Sequence, residues 1–125
     1  MSKCKITIWA RNFDLPLMYE CYAGEELLES QKEAFAMFED NAKEVAASLD
    51  QVKKYVKKSG AAQLAGAEIE NIFKYVMPKS IFVPHSKKRR IVAIMCNYKF
   101  DMEHGIAVVF ENGQFTKVGP QDIVL

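Results

Sequence analysis

No stretch of this sequence approaches the eighteen or so consecutive apolar residues that a membrane helix needs. The N-terminus, Met-Ser-Lys-Cys-Lys-Ile-Thr-Ile-Trp, lacks the unbroken apolar core and small-residue cleavage site of a secretory signal. Only three cysteines occur, Cys4, Cys21 and Cys96, an odd set without metal spacing. That argues against a disulfide framework and for a reducing compartment. A cytoplasmic location without membrane attachment is the expectation. The two histidines, His85 and His104, lie nineteen residues apart and outside any His-Glu-x-x-His set. There is no Cys-x-x-Cys, P-loop, Gly-x-Gly-x-x-Gly or Gly-x-Ser-x-Gly, so nucleotide binding and serine catalysis have no support. Neither charge sign is in excess: 17 basic and 16 acidic residues leave a net charge of +1. A nucleic-acid coat protein would be far more basic.

What is present is an ordinary globular composition, half hydrophobic over 125 residues. One domain spanning 1–125 is expected, long enough to bury roughly two-thirds of its unfolded surface without a metal or disulfide. The balanced charge is unevenly laid out. Residues 24–50 carry eight acids and two bases, and residues 51–90 carry ten bases and two acids. Two faces of opposite sign follow, which steer partners more than they set a fold.

Residues 3–11 alternate, with Cys4, Ile6, Ile8 and Ala10 against Lys3, Lys5, Thr7, Trp9 and Arg11. Period two predicts a half-buried strand. Asn12, Asp14 and Pro16 predict a turn, and Leu17–Tyr22 a second strand beginning at or near Pro16. Beyond Gly24, Leu28, Phe35, Ala42, Leu49 and Val56 recur every seven residues, with Gln31, Phe38, Val45 and Val52 between them. This is one apolar helical stripe from about 25 to 58. Ser48 with Gln51 resembles a capping box, so two helices, about 25–46 and 49–58, are expected; an uninterrupted helix also fits the stripe. Residues 61–66 read as a loop. Ile69, Ile72, Phe73 and Val76 share one helical face and predict a short third helix ended near Pro78. Ser80–Pro84 reads as a short strand and residues 85–90 as an exposed hairpin connection. Ile91–Cys96 is a continuous apolar run, a strand covered on both faces. Residues 105–111 and 115–118 are strands joined by Asn112-Gly113, the strongest short hairpin signal. The fold class is therefore α+β: a mainly antiparallel sheet, made of an N-terminal strand pair and a C-terminal β-meander, with two or three helices on one face.

Candidate chemistry is sparse. Asp101, Glu103 and His104 could ligate a hard metal, but a metal site needs three or four convergent ligands, and a solvated turn is the simpler reading. Cys96, His104 and Asp101 could form a cysteine-type triad. Cys96, however, sits in the most apolar run, where a thiol is usually a core residue. Glu25, Glu26, Glu29, Glu33, Glu39, Asp40 and Glu44 crowd the long helical stretch, with Glu26, Glu33 and Asp40 recurring at seven residues on the side away from the stripe. A row on one convex face does not suit two-carboxylate catalysis. Besides a solvated face, it suits a docking surface for a basic partner, with Glu26, Glu29, Glu33, Asp40 and Glu44 as its candidates. Lys87, Lys88, Arg89 and Arg90 form a basic cluster, to which Lys53, Lys54, Lys57 and Lys58 could add. It lacks the aromatic interleaving of RNA-binding motifs. It also suits a charged tip that keeps sheet edges soluble, and one arginine could pair internally.

The segments Tyr75–Val83, Arg89–Phe100 and Gly105–Leu125, with Phe13–Glu26 before them, resemble a bacterial domain family of uncharacterised function. The most specific part is the C-terminal Gly-Ile-Ala-Val-Val-Phe-Glu-Asn-Gly-x-Phe-x-Lys-Val-Gly-x-Gln-Asp-Ile-x-Leu. Some such small domains are associated with polymorphic toxin systems, including contact-dependent growth inhibition. The resemblance implies an immunity protein that binds and neutralises a toxin domain encoded nearby, and it supplies no catalytic residue; no cofactor or metal is expected from the residues. A small nucleic-acid or anion-binding module using residues 87–90 is the alternative. Oligomeric state is left open.

Overall fold

The N-terminal alternation becomes a tight hairpin of β1 (Ser2–Ile8) and β2 (Arg11–Tyr19), in register from Ser2 opposite Leu17 to Ile8 opposite Arg11. The computed structural model describes residues 2–22 and 24–125. The turn falls at Trp9-Ala10, earlier than Asn12, Asp14 and Pro16 imply, and those three residues lie inside β2. Both turn residues have positive φ, 50° and 67°, the geometry of a two-residue type I′ connection. Neither is glycine, and the left-handed region costs an ordinary residue about 1–2 kcal/mol. Trp9 is held there by burial: its indole N–H donates to Ser48 Oγ at 3.1 Å and its ring lies 5.8 Å from Phe73. Pro16 is tolerated because β2 pairs with β3 only from Leu17 onward.

Residues 25–28 are not helical. Helix α1 spans Glu29–Asp40 and α2 spans Ala42–Ser59. The break is at Asn41 (φ −118°, ψ 47°), not at 47–48. Ser48 is not a cap: it is buried in mid-helix, donates to the Val45 carbonyl, and accepts from Trp9. Its spacing to Gln51 imitates a cap, but the apolar row Val45, Val52 and Val56 continues through it and is fully covered. A burial of that kind contributes about 1.5–3 kcal/mol per large side chain, which outweighs local capping.

The expected loop at 61–66 contains one helical turn, α3 (Ala61–Leu64). The expected third helix shrinks to a 3-10 turn at Ile72–Lys74. Ile69 and Ile72 are buried, but Val76 belongs to β3 (Val76–Val83), which begins before Ser80 and contains Pro78. A register shift between Pro78 and Ser80 leaves Lys79 as an extra, exposed residue. Such a bulge is where a strand admits proline. β4 (Ile91–Tyr98), β5 (Ile106–Glu111) and β6 (Gln114–Gly119) form the meander. Asn112 and Gly113 adopt φ 54° and 79° in the β5–β6 turn. A final 3-10 turn covers Gln121–Val124.

The six strands lie in chain order, β1 to β6, and every pair is antiparallel except β2–β3. The class is α+β with the helices on one face, as the strand and helix segregation implies. The main core lies between that face and the helices, where Phe38 meets Phe110 with ring centroids 5.2 Å apart. Val92, Ile94 and Cys96 face the helices, whereas Ala93, Met95, Ala107 and Val109 face the other side and meet the C-terminal turn through Ile123 and Val124. No described helix is long and apolar enough to cross a membrane.

The sheet curls. Glu44 and Ser48 are one turn apart on α2, about 6 Å along its axis. Glu44 accepts the Phe115 N–H of β6, while Ser48 accepts from Trp9 at the end of β1. In a flat sheet the first and sixth strands would stand about 24 Å apart. Instead the α1–α2 junction fills the space between them. Phe38, Glu39, Ala42 and Val45 border one cavity with Cys4–Thr7, and Gly113 lies against the Met37 carbonyl.

Candidate functional site

The end of the molecule where β2 and β3 finish carries most of the candidate residues. α1 starts there because Gln31, fully buried, is bonded at every polar atom. Its Oε1 accepts the Leu28 N–H at 3.0 Å, and its Nε2 donates to the carbonyls of Glu20 and Val83 at 2.8 and 3.2 Å. Ser30 Oγ donates to the Ser86 carbonyl at 2.6 Å. These bonds join the helix start to the loops that follow both parallel strands. A polar residue on the apolar seam between Leu28 and Phe38 is the one signal in the sequence that marks Gln31.

The acidic candidates divide by partner. Glu29 lies 3.6 Å from Lys32, an exposed pair worth little. Glu33 accepts from Arg90 Nε at 3.1 Å. Glu44 is turned inward to the Phe115 N–H at 2.9 Å. Glu26, Asp40 and the neighbouring Glu39 are exposed, and no ion pair or hydrogen bond engages their carboxylates among the described residues. The structure therefore does not bring the five together as one uniform stripe. Glu26 precedes the helix, Glu44 follows the break, and Glu29, Glu33 and Asp40 share the outer row of α1 with Met37. Met37 was not among the candidates; it is 37% exposed.

The basic cluster is partly neutralised. Arg89 grips Glu111 with two parallel bonds, at 2.7 and 3.0 Å. That pairing holds the Glu111 carboxyl below its ordinary range, through the hydrogen bond first. Arg90 reaches Glu33 and the Lys87 carbonyl. Of these four, only Lys87 and Lys88 stand exposed without such a partner. Lys53, Lys54, Lys57 and Lys58 cannot extend this patch. Ser59, next to them, bonds Tyr98 at the far end of β4, at 2.6 Å, whereas Arg90 precedes that strand. Eight strand residues separate the two by about 23 Å.

The His85 side chain is nearly buried, its ring packed at a tilt against Tyr22 with centroids 4.4 Å apart, and its Nε2 lies 3.2 Å from Glu25 Oε2 but without hydrogen-bond alignment. Its backbone N–H donates to Glu20 Oε1 at 2.9 Å.

Asp101 and His104 form a surface pair at 3.0 Å. The Asp101 hydrogen bond raises the imidazole pKa, and the same bond lowers that of the carboxyl. Cys96 does not join them at the surface. It is fully buried on the helix side, burial drives its thiol pKa far up, and its Sγ reaches the Ile94 carbonyl at 3.7 Å. Glu103 is exposed. Among the described residues no three His, Cys, Asp or Glu side chains converge as metal ligands. Cys4 is buried, and Cys21 is exposed.

The arrangement is thus a rigidly anchored helix with an acid-rimmed outer row, beside a loop whose arginines are occupied. Chemically it can present charge and a methionine to another surface. No curated protein and no solved structure matches the chain. A family model described as a domain of unknown function, DUF6985, matches residues 2–125, and the chain belongs to that family.

Proposed function

We propose that this chain is a non-enzymatic, cytoplasmic immunity-type protein that binds a toxin domain and blocks its working surface. The observation that supports this reading is the outer row of α1. Glu29, Glu33, Met37 and Asp40 follow one another at helical spacing, with a partly exposed methionine between carboxylates. Interfaces favour an adaptable apolar residue at the centre and charge at the rim. Arg90 holds Glu33 in place before any encounter, so less ordering remains to be done on binding. A basic toxin surface, such as a nuclease cleft, is the complement, and the charge speeds the encounter. The resemblance of the C-terminal strands to domains of polymorphic toxin systems points the same way.

The test is co-expression of the tagged protein with the product of the adjacent gene. The expected result is a stable one-to-one complex by mass, together with rescue of growth. No complex and no rescue would overturn the reading. Binding of nucleic acid instead, lost steeply with salt, would favour an anion-binding module.

A further inference from the structure

Of the five described methionines, four lie on the side of the sheet away from the helices or at its margin. Met77 is directly opposite Asn97 across β3 and β4, and Ser80 is opposite Met95. Met18 stands beside Phe82 across β2 and β3 and is 50% exposed. Met102, in the turn after β4, is 64% exposed. The C-terminal turn covers only part of this face, around Ala93, Ala107 and Val109. Where β3 begins and β4 ends, a shallow groove of about 230 Å³ remains, lined chiefly by Lys74, Tyr75, Met77, Asn97, Lys99 and Met102.

We propose that this groove docks an acidic polypeptide segment of a partner protein, seating an apolar side chain between Met77 and Met102 with flanking carboxylates on Lys74 and Lys99. Both lysines are exposed, and among the described residues neither has a carboxylate within ion-pair distance. No acid lines the groove; Glu103 follows Met102 outside it, and Asp101 is engaged by His104. The volume is small and open for a cofactor-sized ligand, which takes about 300–1,000 Å³, but it suits one or two side chains. Thioethers give such a floor its adaptability. Nucleic acid fits less well, because base stacking needs an open ring face. Of the two aromatic rings in the lining, Tyr75 is packed by Phe100 at 5.2 Å with Lys99 6.0 Å from its ring centre, and Phe73 is packed by Trp9 and Phe13 at 5.8 and 5.7 Å. The groove is separate from α1, so this assignment does not rest on the toxin-binding reading.

The experiment is methyl NMR of the methionines in the full chain. The probes are a blocked Asp/Glu-rich peptide of about nine residues with a central Leu-Phe, the same peptide with lysines in place of its acids, and an oligothymidylate. The acidic peptide is expected to shift Met77 and Met102 while leaving Met37 unmoved. Affinity should fall at least about fivefold between roughly 50 and 300 mM salt. It should fall about tenfold in Lys74→Glu/Lys99→Glu, with an unchanged Met95 methyl reporting an intact fold. No shift at Met77 and Met102, equal binding of the lysine peptide, or shifts caused by oligothymidylate instead would each overturn the proposal.

Discussion

Ala10 holds φ at 67° with an exposed side chain, so nothing but backbone geometry is stored at that position. Glycine removes the left-handed penalty and gives back part of the gain through greater unfolded-state entropy. Ala10→Gly should therefore stabilise the fold by about 0.5–1 kcal/mol, seen as a melting temperature higher by roughly 2–4 °C. A lower melting temperature would contradict the hairpin geometry. Trp9, in the same region, offers no such gain, because its indole is buried and bonded to Ser48. The Asp101–His104 pair yields a different residue-level expectation. The imidazole pKa is raised on folding, so its contribution is complete below about pH 6.5 and fades as pH climbs through the folded value. The carboxyl pKa is lowered, so its contribution holds above about pH 4 and is lost as pH falls through the folded value. The pair thus stabilises between those limits, weakly, since both groups face solvent. Asp101→Asn should move the His104 titration midpoint down toward the ordinary histidine value by NMR. An unmoved midpoint would show that the pair does not form in solution.

At the scale of elements, the β5–β6 turn and the helix break depend on each other. Gly113 holds φ at 79°, and a Cβ there would lie 2.5 Å from both the Met37 carbonyl and the Asn41 amide, whose Nδ2 donates to that carbonyl at 2.7 Å. Gly113→Ala combines left-handed strain with a backbone clash and should lose about 2–4 kcal/mol in urea unfolding. A loss below about 1 kcal/mol would mean that the turn and the junction do not pack as described. This contact also explains why the break falls at Asn41 rather than Ser48. Residues 28–56 show one continuous apolar stripe, and periodicity carries no record of a hairpin tip arriving from seventy residues away. The helical spacing over residues 69–76 misleads for a related reason. Their helical spacing of apolar side chains is real, since Ile69, Ile72 and Val76 are all buried, but Val76 is buried as the first residue of a strand.

At the scale of the whole molecule, the acidic and basic segments do not become two clean faces. Glu33 and Arg90 bind each other, Arg89 binds Glu111, and the two lysine groups lie at opposite ends of β4. Beside Glu33, which Arg90 holds and partly neutralises, a basic partner meets Glu26, Glu29, Glu39 and Asp40. Glu26→Lys/Asp40→Lys should therefore slow association with the adjacent gene product about tenfold at low salt and flatten its salt dependence. Unchanged association rates would remove α1 from the contact. Glu33 is a poorer choice for reversal, because a lysine there would face Arg90.

By itself the sequence determined the α+β class, both hairpin signals at the C-terminal end and the buried β4, because these rest on local periodicity and on turn residues whose φ preferences act within a few positions. Cys96 was legible as a core thiol for the same reason. The tertiary structure alone decided that β1 and β6 curl toward one helix junction, that Gln31 locks two loops, which charges stay available, and that Lys74 and Lys99 line one groove with Met77 and Met102. Each of these joins residues distant in the chain, and pairing between distant residues depends on how strands and helices pack, which no local pattern encodes.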